Sequence, residues 1–179
     1  FFAVSAVAPS CIYLTDDRCA HWSRVFSGTA QSTFLDGIAF ANDPLGWVFG
    51  DPVNGRFKLL QTTDGGRHWT EIEGPVAIDG EAAFAASGSS MLYHDSTLSI
   101  LTGGTVSRIH LSSNGGKNWA AKWLELPQGL PSQGAFAHDW HNNRYIIVGG
   151  DYLYDTAALE NAIEYDPESA YYTTNAHLS

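Results

Sequence analysis

The chain has 179 residues, 44% hydrophobic and 16% charged, a globular composition sufficient for one domain with a sizeable core. A net charge of −10 excludes the basic footprint of a nucleic-acid binder and disfavours an anionic membrane surface. No apolar stretch approaches the roughly 20 residues of a membrane-spanning helix. The 18 glycines and 13% aromatics favour an all-β chain rich in tight turns.

In chain order, the first segment (FFAVSAVAP) reads as an apolar strand and not a leader, because it is short and lacks a basic start. Residue 1 is Phe, so the chain is expected to be processed or truncated there. Cys11 and Cys19 flank the first turn. A bridge across that hairpin implies an oxidising compartment. Two free thiols in a reducing compartment account for the pair equally.

A repeat organises the chain from this point on. Thr62-Thr63-Asp64-Gly65-Gly66-Arg67-His68-Trp69 matches Ser112-Ser113-Asn114-Gly115-Gly116-Lys117-Asn118-Trp119. A worn copy runs from Thr15 through Asp17 to Trp22, and a more worn one from Glu164 through Asp166 to Tyr171. The closing aromatics stand at 22, 69, 119 and 171, spacings of 47, 50 and 52. Before each box lies a β-patterned run (11–14, 57–60, 108–111, 162–163), with further runs upstream at 47–51, 98–101 and 145–151. The innermost runs are expected at 38–41, 82–85 and 134–137. Four short strands per period of about 40–50 residues describe a propeller blade. The expected fold is an all-β propeller of four-stranded antiparallel blades, with three to four blades at about 1–28, 34–74, 81–126 and 133–175. The Asx-Gly-Gly core of the box makes a tight turn, against which the Trp is expected to bury.

The pattern Ser/Thr-x-Asp-x-Gly-x-x-Trp resembles the Asp-box of BNR-type β-propellers. Thr62, Asp64, Gly66 and Trp69 match it fully, and Ser112, Gly116 and Trp119 match with Asn114 in the Asp place. The contexts at 50–57, 80–88 and 148–152 look like bacterial exported propellers related to photosystem II stability/assembly factors, a group also labelled oxidoreductase or glycosyl hydrolase. The resemblance implies an extracytoplasmic module that binds a protein or glycan. Such propellers hold more blades than this chain. The rest of the propeller, or a partner chain, is therefore expected to close the ring, with no membrane insertion.

Alternating strand directions place the box turns on one face of the disc and the candidate site residues on the other. Asp51 and Asp151 end second strands, and Asp36 and Glu81 precede innermost strands. Asn54 and Arg56 follow Asp51, and Tyr152 follows Asp151. Asp51, Glu81 and Asp151 are the catalytic candidates for an alternative glycoside hydrolase, which needs two opposed carboxylates. Asp36, Asn54, Arg56 and Tyr152 are the ligand-binding candidates. Adjacent like charges there are expected to raise at least one carboxylate pKa. The same carboxylates as simple turn and solvent groups are the competing expectation.

A sialidase needs an arginine triad, and only Arg56 of the six arginines falls on that face. His138-Asp139-Trp140-His141 reads as an enlarged turn between two strands and not as a metal site. No glycine-rich nucleotide loop opens a helix, so neither cofactor nor metal is expected. The leading reading is a non-enzymatic binding or assembly module.

Overall fold

A computed structural model describes residues 2–4, 9–28, 34–85, 88–154, 156, 161–169 and 171–174. Every regular element among them is a β-strand. The first group is β1 (Phe2–Val4), β2 (Cys11–Leu14) and β3 (Ser23–Ser27). The second is β4 (Gly37–Phe40), β5 (Gly46–Val53), β6 (Arg56–Thr62) and β7 (Thr70–Ile72). The third is β8 (Glu81–Ala82), β9 (Met91–His94), β10 (Thr97–Gly104), β11 (Arg108–Ser112) and β12 (Ala120–Trp123). The fourth is β13 (Gln133–His141), β14 (Arg144–Asp151), β15 (Ala162–Asp166) and β16 (Tyr171–Thr174). Within each group, sequential strands pair antiparallel, except that β8 pairs with β10 and not with β9. The chain is a partial propeller.

The core lies in the seams between sheets. Successive side chains of a strand point to opposite faces, so each central strand feeds two seams. Val48 and Leu60 join Ile12 and Leu35 in the first seam. Trp47, Phe49, Phe57 and Leu59 face the other way, onto Met91, Leu98 and Ile100. Leu101 and Ile109 then meet Tyr145, Ile147, Ile163 and Tyr165 in the third. Burial on both faces explains why the second strands read as continuous apolar runs.

The box turns clip each blade to the one before. The Thr62 hydroxyl donates to Asp64 (2.9 Å) and accepts from the Gly66 amide (2.9 Å), while the His68 amide donates to Asp64 (2.9 Å). Ser112, Asn114, Gly116 and Asn118 repeat this at 2.9–3.0 Å. Trp69 and Trp119 each donate their indole N–H to the box glycine carbonyl at 3.0 Å. Trp69 is half-buried, edge-on to Phe2 and Phe40. Across the seam, the Gly115 carbonyl accepts from Trp47 Nε1 (3.2 Å) and Gln61 Nε2 (3.3 Å), both of the preceding blade. A Cβ on Gly66 would lie 2.2 Å from the Phe2 ring of the first blade.

Three expectations need correction. The inner edge of the third blade is β9, not 82–85. Only Glu81 and Ala82 pair there, opposite Gly104 and Gly103, and Phe84 turns its ring to Phe136 and Tyr152 instead of extending the ladder. His138 to His141 are strand residues of β13, and the turn is Asn142-Asn143, both at positive φ. The copy at Asp166 is a shorter turn: its carboxylate accepts amides two and three residues on, Glu168 (2.8 Å) and Ser169 (3.3 Å), and Asp166 pairs with Tyr171 across the hairpin.

The first copy is more complete than its sequence suggests. Thr15 donates to Asp17 (2.9 Å), and the Cys19 and His21 amides donate to Thr15 (3.1 Å) and Asp17 (2.9 Å). Its closing Trp22 is 43% exposed. Cys11 and Cys19 are free thiols, which removes the hairpin bridge. Cys11 opens β2 opposite Ser27, whereas Cys19 lies in the turn beyond the strand's other end. A four-residue strand separates them by about 10 Å or more, beyond the roughly 7 Å limit of a disulfide.

Cys19 has φ +69° where the later boxes place Gly66 (+79°) and Gly116 (+88°). A side chain there costs about 1–2 kcal/mol. Cys19→Gly is therefore expected to stabilise the chain by about 0.5–1 kcal/mol, after the glycine's unfolded-state entropy is deducted. Chemical denaturation checks this, and an unchanged or lowered midpoint contradicts it.

Candidate functional site

Strand register sets the two ends of the sheets. Gly46 pairs with Thr62 and Val53 with Arg56, so Asp51 and Arg56 lie at the end opposite the box that starts at Thr62. Likewise Thr102 pairs with Arg108 and Leu98 with Ser112, while Gln133 pairs with Asp151. Asp51, Arg56, Glu81, Arg108 and Asp151 thus share one end.

They do not form an opposed pair there. Glu81 has a fully buried side chain. Arg108 binds it through Nε (2.9 Å to Oε1) and through Nη2, His110 donates from Nε2 (3.1 Å), Thr102 donates its hydroxyl, and the Ile78 amide donates at 2.8 Å. Burial works against the charged form. The hydrogen bonds from His110, Arg108, Thr102 and Ile78 outweigh it and hold the pKa at about 2. The expected rise does not fall on Glu81, a sequestered anion held by β10, β11 and the Ile78 amide. At Asp151 desolvation is likewise overcome, by bonds from Ser132, Leu153 and Gln133, and the carboxyl falls below its usual range. It shapes the turn that carries Tyr152.

The expected rise falls on two other candidates, Asp36 and Asp51. Asp36 is 7% exposed, and burial, then the negative charge of Asp51, push its pKa up to about 7. Asp51 is itself raised by burial, against one bond from the Ala83 amide at 3.1 Å. Asn54 and Gly55 adopt φ +54° and +78° as the hairpin turn between β5 and β6. Arg56 donates to Gly74 O (3.0 Å) and pairs with Glu73 (2.7 Å). Asn54 is thus a turn residue, and Arg56 braces the β7 exit.

A second polar cluster, unmarked by any motif, fills the third seam. His94 Nε2 lies 2.6 Å from Tyr145 Oη, and Ser99 Oγ lies 2.6 Å from His138 Nε2. His138 Nδ1 lies 2.7 Å from the Ser89 carbonyl. That carbonyl only accepts, so Nδ1 carries the proton and Nε2 accepts from Ser99. Burial lowers the His138 pKa to about 4 and keeps the ring neutral. Ser99 has no exposed surface, so this serine–histidine contact is closed to substrate. No metal-binding group of three or more His, Cys, Asp or Glu occurs among the described residues.

The accessible chemistry of this end is apolar. Tyr152 (57% exposed), Leu153 (69%) and Tyr154 (65%) follow Asp151, and Leu130 stands exposed on the loop whose Ser132 carbonyl accepts the Tyr152 amide. Phe84 stacks edge-on to Phe136 (5.0 Å) and Tyr152 (6.2 Å), anchoring the patch. Sequence reading selected Tyr152 and missed Leu153, Tyr154 and Leu130. The run Tyr-Leu-Tyr directly after a second strand was the available signal.

No family model and no curated protein matches the chain. Among solved structures it is similar to YCF48 bound to D1 peptide, with TM-score 0.59 at 16% identity, covering 98% of this chain and 52% of that one. YCF48 from Cyanidioschyzon merolae gives 0.60 at 17%, covering 98% and 56%. The GH43 endo-arabinanase from Bacillus licheniformis gives 0.51 at 13%, covering 96% and 75%. These likenesses define the class, an all-β partial propeller. The chain spans about half the length of the YCF48 chains it matches.

Two stability measurements separate the carboxylates. Glu81→Gln leaves Arg108 buried without its counter-charge and is expected to cost about 3–5 kcal/mol at pH 7. A loss below about 1 kcal/mol would show that Glu81 is not a structural anion. Asp36 behaves in the opposite way. Its protonated form favours the fold, a contribution complete below pH 3.8 and lost as pH rises through about 7. Asp36→Asn is expected to raise stability by about 2–4 kcal/mol at pH 8 in EDTA, with little effect near pH 4. Denaturation at the two pH values reads the difference.

Proposed function

We propose that this chain is a non-enzymatic β-propeller module that binds a protein segment at the sheet end opposite the box turns. The observation that carries the reading is the exposed run Tyr152, Leu153 and Tyr154, held by the Phe84–Phe136 ring contacts. Large exposed aromatics on a rigid scaffold supply contact area at low entropic cost. The fold likeness to a propeller named as bound to a peptide supports a protein partner. An extracytoplasmic location belongs to the same proposal and rests on the resemblance to exported propellers. The glycoside hydrolase alternative gains nothing from the carboxylates, since Glu81 is ion-paired internally and Asp151 is held by its own turn.

The test is peptide-display selection on the purified chain, with a glycan array and a glycoside-hydrolysis panel in parallel. Selected peptides are expected to bind the combined variant Tyr152→Ala, Leu153→Ser, Tyr154→Ala at least about 30-fold more weakly, as for a hot spot of 2 kcal/mol. Its melting temperature is expected to stay unchanged. Peptide affinity that survives the triple variant overturns the assignment of the surface. Glycan hydrolysis lost in Asp51→Asn overturns the non-enzymatic reading.

A further inference from the structure

The second repeat contains a buried carboxyl group with no cationic partner among the described residues. Asp36 is more than nine-tenths buried, yet its Oδ2 has no hydrogen-bond partner among them. Its carboxylate receives the backbone amide of Asp51, whose own charge opposes it. Among the described residues, Asp51 in turn receives the Ala83 amide on Oδ1, at 3.1 Å. The pair is held in place by the backbone. The Asp36 amide donates to Phe49 O at 2.8 Å, and Gly50 packs so closely that a Cβ would lie 1.8 Å from Phe34 O.

The third repeat shows what is lacking. Glu81, on β8 at the same end of the sheets, is also buried, but Arg108 and His110 neutralise it. Lys58 stands four residues before Thr62, as Arg108 stands four before Ser112. Lys58 is engaged by Glu71 and Arg56 by Glu73, so neither serves Asp36. An ionised carboxylate in such a place costs several kcal/mol unless a proton or a cation neutralises it. Asp51 lines an open groove of about 630 Å³ with Ile78, Asp79 and Gly80, so the Asp51 side of the pair borders solvent.

We propose that Asp36 and Asp51 together bind a hard divalent cation, with Ca²⁺ as the best match, at the inner end of the second repeat. Both donors are carboxylate oxygens, the ligands Ca²⁺ prefers. Its loose geometry tolerates a shell completed by water, whereas Mg²⁺ demands a near-ideal octahedron. Two protein carboxylates predict a weak site, with a midpoint of about 0.1–1 mM, the range of extracellular Ca²⁺ modules. The ion supplies in this repeat the charge that Arg108 supplies in the next. It would tie the entry of the second blade to the third through Asp51 and Ala83. The proposal is independent of the peptide-binding reading.

The test uses the EDTA-treated chain at pH 7.5, titrated with CaCl₂ and separately with MgCl₂ in 0.1 M KCl. Ca²⁺ is expected to raise the melting temperature saturably, by about 3–6 °C at ten times the midpoint concentration. Calorimetric titration should give the same midpoint, with Mg²⁺ weaker. Asp36→Asn and Asp51→Asn are expected to lose the response, whereas Asp79→Asn, an exposed acid of the same groove, keeps it. Should a variant fold poorly, the Asp36 carboxyl carbon shift in the wild type provides the reading, because it must move on Ca²⁺ addition. A wild type with no saturable Ca²⁺ effect, a response retained in Asp36→Asn, or equal loss in Asp79→Asn overturns the site.

Discussion

A hydroxyl, an Asx side chain and two left-handed residues close the box turns at Thr62 and Ser112, and those turns hold neighbouring blades together. The hydroxyl of Thr62 or Ser112 bonds in two directions, so the turn keeps its shape without help from the sheet. The carbonyl it projects, that of Gly115, then captures an indole and an amide from the previous blade. The glycines are required twice. They take positive φ, and they leave room for Phe2 against one box and for Leu59 and Ile72 against the next. A propeller seam is otherwise a layer of apolar side chains with little directional preference. The box adds directional bonds that set where one sheet sits on the next.

With the boxes clamping one end, the opposite end is free to vary, and there two buried acids, Glu81 and Asp36, are handled differently. Glu81 is answered by a guanidinium and an imidazole and becomes part of the inter-blade structure. Asp36 has only an amide and a neighbouring like charge. Two buried carboxylates at the same end of the sheets thus have shifts of opposite sign. Electrostatic character here depends on which cations the adjacent strand turns inward, and not on the acid itself. The same end carries Tyr152, Leu153 and Tyr154 into solvent, so surface available to a partner lies close to the under-neutralised pair on one side of the disc.

Much of the architecture was legible in the sequence, because repetition turns a weak local signal into a strong one. The box spacing, the alternating apolar runs and the sharing of one end by Asp51, Glu81 and Asp151 all follow from strand direction and a period of two. Where reading failed, a local rule gave way to a distant contact. The run 82–85 looked like an inner strand, but Phe84 is drawn to Phe136 and Tyr152, and Met91 to His94 take the edge. His138 to His141 resembled a loop because of their polarity. Their alternation is that of a strand whose inward histidine finds Ser99 and the Ser89 carbonyl.

The amino-acid sequence by itself determined the repeat, the all-β class and the turn chemistry, since each depends on residues a few positions apart. Only the tertiary structure decided the fate of the charges. Arg108 reaches Glu81 across 27 positions, and Asp51 reaches the Ala83 amide across 32. A carboxylate's burial, its partners and hence its protonation are set by whatever folding brings within a few ångströms. That proximity is a property of the assembled seams and leaves no mark in the local pattern.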